Sequence, residues 1–276
     1  LAAGYASLEI RGDGVTDVVN FNGPLTFAAN QGLTVADLGT VRLPNTTSDI
    51  AASGTGAVSI TAMKTIVLAS GASITAVDGN IILSANQQEP PTVNAAFTGI
   101  SLTAATVSTT GVGDIDLAGR GGTWSNNNHG VAVLQAAQVR SASGDVIVQG
   151  TGGSSPGNYN IGVLVRNSGS LITSAGGAVQ VEGVGGGSGG EGGNAGVFVH
   201  TQGAITNTGT GAGATVSVVG VGGSGRDGST NTGWNHGVWI KDSGSAITSS
   251  GGALSVQGFG GGVTGSTENY GVFLAS

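Results

Sequence analysis

The acidic side chains offer this sequence its widest choice of chemistry, because carboxylates that converge on one face can bind calcium or act as general acid and base. Asp114 and Asp116 share one side of a predicted strand whose inward positions are apolar, so we expect both carboxylates to be solvated. The remaining acids fall mostly one per repeat unit and at unmatched positions: Asp145, Glu182, Asp227 and Glu268. No catalytic residue is therefore predicted.

The histidines are the next candidates, as metal ligands. His129 and His236 occupy equivalent positions of a repeat, but they lie three units apart, too distant to share a metal ion. His200 follows a predicted strand. The chain has no cysteine, which excludes a disulfide framework, a zinc-thiolate site and a thiol nucleophile. We predict neither a metal site nor a cofactor.

Two short motifs match known binding sequences. The segment GGSGRD, residues 222–227, matches the start of a calcium-binding nonapeptide, but that motif binds calcium through tandem copies and here stands alone. Arg11-Gly12-Asp13 spells an integrin-type tripeptide and follows a predicted strand at Leu8–Ile10. We interpret the first as part of a Gly-rich loop and the second as an ordinary turn.

Composition excludes several classes of partner. Among 276 residues, glycine contributes 55 and charged residues 8%, yet 38% of residues are hydrophobic, which opposes disorder. The formal net charge is −7 and the basic residues are scattered singly, so nucleic acid and anionic membrane surfaces are not expected partners. No apolar run is long enough for a membrane-spanning helix. Since the chain begins without methionine and ends within a repeat, we expect it to be a segment of a longer or processed protein.

The glycines recur in register with short apolar runs, which defines a repeat. Its starts lie 25, 34, 31, 32, 34, 41 and 34 residues apart, at Thr40, Thr65, Gly99, Gly130, Gly162, Gly196, Gly237 and Gly271. Each complete unit holds three runs that alternate with period two, exemplified by Val163/Val165, Ile172 and Val179/Val181. We call these the first, second and third runs. Period two predicts strands, and strands this short must stack on their counterparts in the next unit.

This pattern predicts an all-β fold, a right-handed parallel β-helix of about eight three-stranded coils with Gly-rich insertions at one corner. A sandwich or propeller would require antiparallel hairpins instead. Residues 39–276 form the repeat domain. Residues 1–38 are expected to be irregular coils or a cap of the same solenoid.

Three sets of residues stand out from the apolar background. An asparagine lies two residues before each late unit start, and we expect a structural ladder of stacked amides rather than a ligand-binding row: Asn128, Asn160, Asn194, Asn235 and Asn269. The outward position of the first run becomes an apolar stripe that a loop, another chain or a ligand should cover: Ala132, Leu164, Phe198, Trp239 and Phe273. The variable corner carries aromatics suited to packing the loops or to stacking on sugars: Trp124, Tyr159 and Trp234.

The segments GSLITSAGGAVQVEGVGG (169–186) and GSAITSSGGALSVQGFGG (244–261) resemble repeats in the β-helical shafts of filamentous-haemagglutinin-like exoproteins and autotransporter passengers. This resemblance implies a secreted bacterial surface protein. We therefore expect a non-enzymatic, extracellular structural or adhesive shaft or filament. Its expected partners are further coils of the same chain or other copies, with surface glycans as a further possibility. The alternative is a polysaccharide-binding or polysaccharide-cleaving β-helix.

Overall fold

The computed structural model describes residues 5–226 and 231–276, and within these residues the chain forms twenty-three strands and no helix. Strands of the first run are β8 (Ile100–Thr103), β11 (Val131–Leu134), β14 (Val163–Arg166), β17 (Val197–His200), β20 (Val238–Lys241) and β23 (Val272–Ala275). Strands of the second run are β2 (Leu25–Ala29), β4 (Asp49–Ser53), β6 (Ser73–Ala76), β9 (Thr106–Thr109), β12 (Gln138–Ser141), β15 (Leu171–Ser174), β18 (Ala204–Asn207) and β21 (Ala246–Ser249). Strands of the third run are β7 (Ile81–Ala85), β10 (Ile115–Arg120), β13 (Val146–Thr151), β16 (Val179–Val184), β19 (Val216–Val221) and β22 (Leu254–Phe259).

Each strand pairs in parallel with its counterpart one coil away, which is the arrangement that the period-two runs predict. The second-run strands form an eight-stranded sheet in chain order. The first-run and third-run strands belong to one fifteen-stranded sheet. The chain is therefore a parallel β-helix, which confirms the fold expected from the repeat.

The early coils show why two runs share one sheet. Three long strands, β1 (Ser7–Asn20), β3 (Gly32–Leu43) and β5 (Val58–Leu68), each contain a third run and the next first run without an intervening loop. The sheet forks at β5, where Val58–Ala62 pairs with β7 and Ile66–Leu68 pairs with β8. From β7 onwards an inserted segment separates the two runs, and this insertion creates the variable corner.

One apolar column runs along the axis and is built from the inward residues of all three runs. In the coil that contains Val163, Ile172 and Val181, each of these side chains is fully buried. The same holds for most of their counterparts in the other coils, and together they form one continuous cluster from Phe27 to Val238. Burial of this column is the main stabilising term of the fold, at about 25 cal/mol for each Å² of apolar surface removed from water.

The described part of the N-terminal region follows the same plan. Residues 5–38, expected to be irregular coils or a cap, contain β1, β2 and the start of β3. β1 stacks on β3 with two shifts of register, between Arg11 and Gly14 and between Gly14 and Val18. The tripeptide Arg11–Asp13 therefore lies inside a long strand at an irregularity, and its interpretation as a turn after the strand was wrong.

Candidate functional site

Five asparagines stack at the corner where the Gly-rich loops return to the first-run strands: Asn128, Asn160, Asn194, Asn235 and Asn269. Each Oδ1 after the first accepts the backbone N–H of the asparagine one coil earlier, at 2.8–3.1 Å. In three of these four pairs the Nδ2 amide of the earlier residue donates to the same oxygen, at 3.0–3.1 Å. Phe97, at the equivalent position of the preceding coil, donates its backbone N–H to Asn128 at 3.1 Å. The side chains thus form a continuous axial ladder.

The ladder also holds the Gly-rich loops in place. Asn160 donates its Nδ2 amide to the Gly157 carbonyl at 2.7 Å. Asn194 donates to the carbonyls of Glu191, at 2.9 Å, and Ser224, at 2.7 Å, so it joins its own loop to the next. Since these amides and carbonyls are removed from water, each bond replaces hydration that the loops lose on folding. The described parts of these loops are therefore bonded into the fold at Gly157, Glu191 and Ser224.

Two facing glycines form the narrow neck of each loop. A Cβ atom at Gly183 would collide with the carbonyl oxygen of Gly196, and the same collision recurs between Gly150 and Gly162. This close backbone approach explains why both sides of the corner are glycine in successive coils. The neck returns the chain to its stack after the excursion at residues 151–161 or 184–195, which keeps the first-run strands in register.

The apolar stripe points away from the axial column but is not exposed. Ala132, Leu164, Phe198 and Trp239 are 1%, 3%, 5% and 8% exposed, and Phe273 is half-buried. They pack with Ile161 and Ala195 into a second, smaller apolar cluster. We expected a loop, another chain or a ligand to cover this stripe. In the structure the chain's own corner covers it, because Ile161 and Ala195, which directly precede the first-run glycines, pack against the stripe. An exposed contact stripe is therefore not what the structure shows.

Ring stacking orders this second cluster along the axis. Phe198 lies between His200 and Trp239, with both pairs of ring centroids 4.1 Å apart and interplanar angles of 16° and 9°. His236 meets Trp239 edge-on at 4.8 Å and stacks with Tyr270 at 5.4 Å. Because the Phe198 ring is covered on both faces by other rings, the stripe offers little ring face on which a sugar could stack.

A cleft of about 340 Å³ opens beside this cluster. Its buried lining comes from Ile161, Leu164, Phe198 and Trp239, and its more exposed lining includes Tyr159, Arg166, His200 and Lys241. The last three occupy one register position of β14, β17 and β20, directly after the inward residue that ends each first run. Consecutive strands of a sheet lie about 4.8 Å apart, which places Arg166 and Lys241 on the order of 10 Å apart with His200 between them.

The electrostatics of the cleft are set by its two permanent cations. Burial lowers the pKa of His129 to about 4, with smaller contributions in the same direction from the nearby Arg166 and His200. Burial and Arg166 likewise lower the pKa of His200 to about 4, against the opposing effect of Asp242, whose Oδ2 lies 3.8 Å from its Nδ1. Both imidazoles are therefore neutral at pH 7, and the positive potential comes from Arg166 and Lys241.

Two polar atoms beneath the cleft lack partners. The Nδ1 of His129 and the Nε1 of Trp239 are buried, and neither has a hydrogen-bond partner among the described residues. The Nε2 of His236 is a third such atom in the same cluster. Burial also lowers the pKa of His236 to about 4. Such unpaired atoms are uncommon in folded proteins, and they concentrate here at the second cluster.

The aromatics of the variable corner lie on the surface. Trp124, Tyr159 and Trp234 are 66%, 36% and 41% exposed. Trp234 donates its indole N–H to Glu268 of the next loop at 2.7 Å, which links two successive loops. A smaller groove that Tyr159 shares with the cleft continues to Trp234. Trp234 therefore packs two loops together, and contact of this edge with a ligand stays a prediction.

The acids have a structural arrangement that the sequence analysis missed. Asn80, Asp114 and Asp145 each directly precede a third-run strand, and each side-chain oxygen accepts the backbone N–H one coil further on, at 2.9, 2.8 and 2.7 Å. Asp114 and Asp145 thus occupy matched positions of a second ladder, and the description of these acids as unmatched was wrong.

Asp116 differs from the prediction that its carboxylate is solvated. Its side chain is half-buried, and this burial raises its pKa. Asp227 lies outside the described residues.

Buried polar residues also close the corner between the second and third runs. Ser174 ends its second-run strand with its hydroxyl donating to the Gly144 carbonyl at 2.9 Å and accepting the N–H of Gly177 at 3.0 Å. Asn207 donates to the Gly177 carbonyl at 2.6 Å. Thr109 and Ser141 occupy the same position in earlier coils and bond to each other at 2.8 Å. The signal in the sequence was a polar residue two places after the apolar residue of each second run from β9 to β21, where the earlier runs β4 and β6 have Ala52 and Ala76.

The Arg11-Gly12-Asp13 tripeptide is tied into the fold through its arginine. Arg11 forms ion pairs with Glu9 at 2.6 Å and with Asp37 at 2.5 Å, so its guanidinium is already engaged within the fold. Residues 5–226 and 231–276 hold no group of three or more His, Cys, Asp or Glu side chains that could bind a metal ion. In that same part of the chain there is no helix long and apolar enough to cross a membrane.

Comparison with known proteins adds no identification. No family model matches the chain, and neither a curated protein nor a solved structure matches it. The class of protein is therefore defined by the parallel β-helix and its ladders. The resemblance to bacterial β-helical shafts stays a prediction.

Proposed function

We propose that this chain is a non-enzymatic shaft segment of an extracellular bacterial protein with a structural or adhesive role. The observation that carries the proposal is the asparagine ladder, in which the buried side chains of Asn160 and Asn194 join consecutive coils beside the apolar column. Both features add cohesion along the axis, which is the direction in which a shaft is loaded. The resemblance of residues 169–186 and 244–261 to shaft repeats supports the extracellular setting.

The use of the acids supports this function over cleavage of a polysaccharide. The carboxylates of Asp114 and Asp145 accept backbone N–H groups of neighbouring coils at 2.8 and 2.7 Å. Such bonds hold the corners of the solenoid together. They also occupy carboxylates that a calcium-dependent lyase or a glycoside hydrolase would direct towards its substrate. Binding of a polysaccharide is a separate matter, for which the cleft beside Trp239 is the relevant feature.

Protease shaving of intact source cells tests the extracellular shaft. We expect a brief protease treatment to release peptides of this chain into the medium, identified by mass spectrometry, while a cytosolic marker stays inside the cells. Appearance of these peptides only after lysis would contradict the proposal. Incubation of the purified chain with acidic and neutral polysaccharides tests the enzymatic alternative, and production of new reducing ends that Asp114→Asn or Asp145→Asn abolishes would favour that alternative.

Assembly with further coils or with other copies of the chain belongs to the same proposal. In the described part of the chain the named strands of neighbouring coils pair in parallel, and a neighbouring β-helix can add to the stack in the same way. Self-association is tested by the sedimentation of the purified chain over a range of concentrations.

A further inference from the structure

We propose that the cleft between the loop corner and the outward face of β14, β17 and β20 binds an acidic saccharide unit, with Arg166 and Lys241 as the groups that contact its carboxylate. The proposal goes beyond the shaft function and does not depend on it. Neither the asparagine ladder nor the axial apolar column accounts for the exposed cations that line this cleft.

The volume and lining of the cleft fit one or two sugar rings. At about 340 Å³ the cleft falls at the lower end of the range for small-molecule sites. Ile161 and Leu164 supply apolar surface, and Tyr159, Asn127 and His200 supply hydroxyl, amide and imidazole groups in the same lining. A saccharide presents both kinds of surface, since its C–H groups are apolar and its hydroxyls both donate and accept hydrogen bonds.

The charge of the cleft selects an anion. The side chains of Arg166 and Lys241 are exposed, and neither has a hydrogen-bond or ion-pair partner among the described residues. Lys241 lies over the Trp239 ring, with its Nζ 5.8 Å from the ring centroid, which draws the ammonium towards the cleft. The described lining of the cleft holds no acidic residue, and Asp242, which follows Lys241 in the chain, is engaged by the N–H and hydroxyl of Thr201 at 3.2 and 3.3 Å and faces His200. This lining therefore carries two cations and no carboxylate.

The unpaired atoms beneath the cleft are a second, independent observation. The Nδ1 of His129 and the Nε1 of Trp239 belong to residues that line the cleft, and both side chains are more than nine-tenths buried. A structure that needed only to seal its second cluster could place apolar side chains at both positions, as it does at Ile161 and Leu164. Polar rings there keep hydrogen-bonding capacity next to the site.

Titration by nuclear magnetic resonance tests the assignment. The probes are a disaccharide that carries one uronate, the same disaccharide with its carboxylate reduced to an alcohol, and benzoate. We expect the uronate disaccharide to shift the indole N–H resonance of Trp239 and to leave that of Trp124 unchanged. The reduced disaccharide should bind at least about tenfold more weakly, because it loses a charge-assisted hydrogen bond.

Charge variants locate the binding. Arg166→Gln and Lys241→Gln should each weaken binding of the uronate disaccharide by about tenfold or more. Arg42→Gln is the matched control, since Arg42 is an exposed residue on the outward face of an early first run, away from the cleft, and binding should be unchanged. Equal affinity of wild type and Arg166→Gln, or a Trp239 resonance that does not move, would overturn the site. Binding of benzoate as tight as that of the uronate disaccharide would overturn the saccharide assignment.

Discussion

The side-chain oxygen of Asn194 accepts two hydrogen bonds from Asn160, one from its backbone N–H at 2.8 Å and one from its amide at 3.1 Å. A single buried oxygen thus satisfies two donors of the preceding coil. The Nδ2 amide of Asn194 in turn donates to two loop carbonyls, those of Glu191 and Ser224. Asn194 therefore joins two coils and two loops at one position.

Removal of this junction should destabilise the fold. In Asn194→Ala the buried N–H of Asn160 and two loop carbonyls lose their partners, and the free energy of unfolding should fall by about 3 kcal/mol. Chemical denaturation monitored by circular dichroism measures the change. Asn20→Ala is the matched control, because Asn20 is exposed at the end of β1, and its effect should stay within about 0.5 kcal/mol. Equal stability of the two variants would contradict the ladder.

The neck of the Gly-rich loop should not tolerate a methyl group. Gly183→Ala places a Cβ against the carbonyl of Gly196, and we expect a loss of about 2 kcal/mol, typical of overpacking. Gly211→Ala has no atom within 4 Å of its new Cβ and serves as the control. Thermal unfolding of both variants gives the comparison. A Gly183→Ala protein as stable as wild type would show that the neck can open.

The apolar stripe should behave as core and not as surface. Phe198 is 5% exposed and stacked on both faces, so Phe198→Ala should cost about 3 kcal/mol of stability and reduce the near-ultraviolet circular dichroism of the stacked rings. Trp124 is 66% exposed, so Trp124→Ala should change stability little. A small effect of Phe198→Ala would mean that the stripe is open in solution.

Acid should weaken the second cluster. The pKa values of His129, His200 and His236 are lowered to about 4 in the folded protein, from an ordinary value of 6.5. Between these values the unfolded chain binds more protons than the folded one, so the stability that the neutral histidines contribute is fully present well above pH 6.5 and falls as the pH drops through 6.5 towards 4. The slope approaches about 1.4 kcal/mol per pH unit for a fully buried histidine and is smaller for His200, whose side chain is partly exposed.

Urea unfolding at pH 8, 6.5 and 5 measures this dependence. Wild type should lose most of this stability between the two lower values, because the unfolded histidines are only half protonated at pH 6.5, and most carboxylates are still ionised at pH 5. His129→Gln should show a shallower loss, because one proton-binding group is gone. An unchanged slope in this variant would show that His129 does not carry the effect.

The strands and the axial column were predictable because alternation is a local property. Val163, Val165 and Ile172 each lie inward as the period-two pattern requires. Some cover over Leu164 and Phe198 was expected from the apolar stripe, but the segment that supplies it was not predictable, since that depends on where the corner folds after an insertion of variable length. Ile161 and Ala195, the apolar residues directly before the first-run glycines, were the available signal.

Two other features could have been read from position alone. Asp114 and Asp145 directly precede third-run strands, as Asn80 does, and alignment of the repeats on the third run would have revealed this second ladder. Arg166, His200 and Lys241 likewise share a register position. The cleft itself was not predictable, because its shape arises from side chains of several coils and from Tyr159 on a loop. Periodicity predicts which residues stack in neighbouring coils, but it does not predict the conformation of the loops that cover them.

Electron microscopy of the native protein tests the shaft most directly. Antibodies raised against the coil at residues 235–261 should, on unpermeabilised source cells, label extracellular filaments along their length. Recombinant coil added in solution should compete the label away, which controls for specificity. Label confined to the cell interior, or to isolated compact particles with no filament, would contradict the proposal that this β-helix serves as an extracellular shaft.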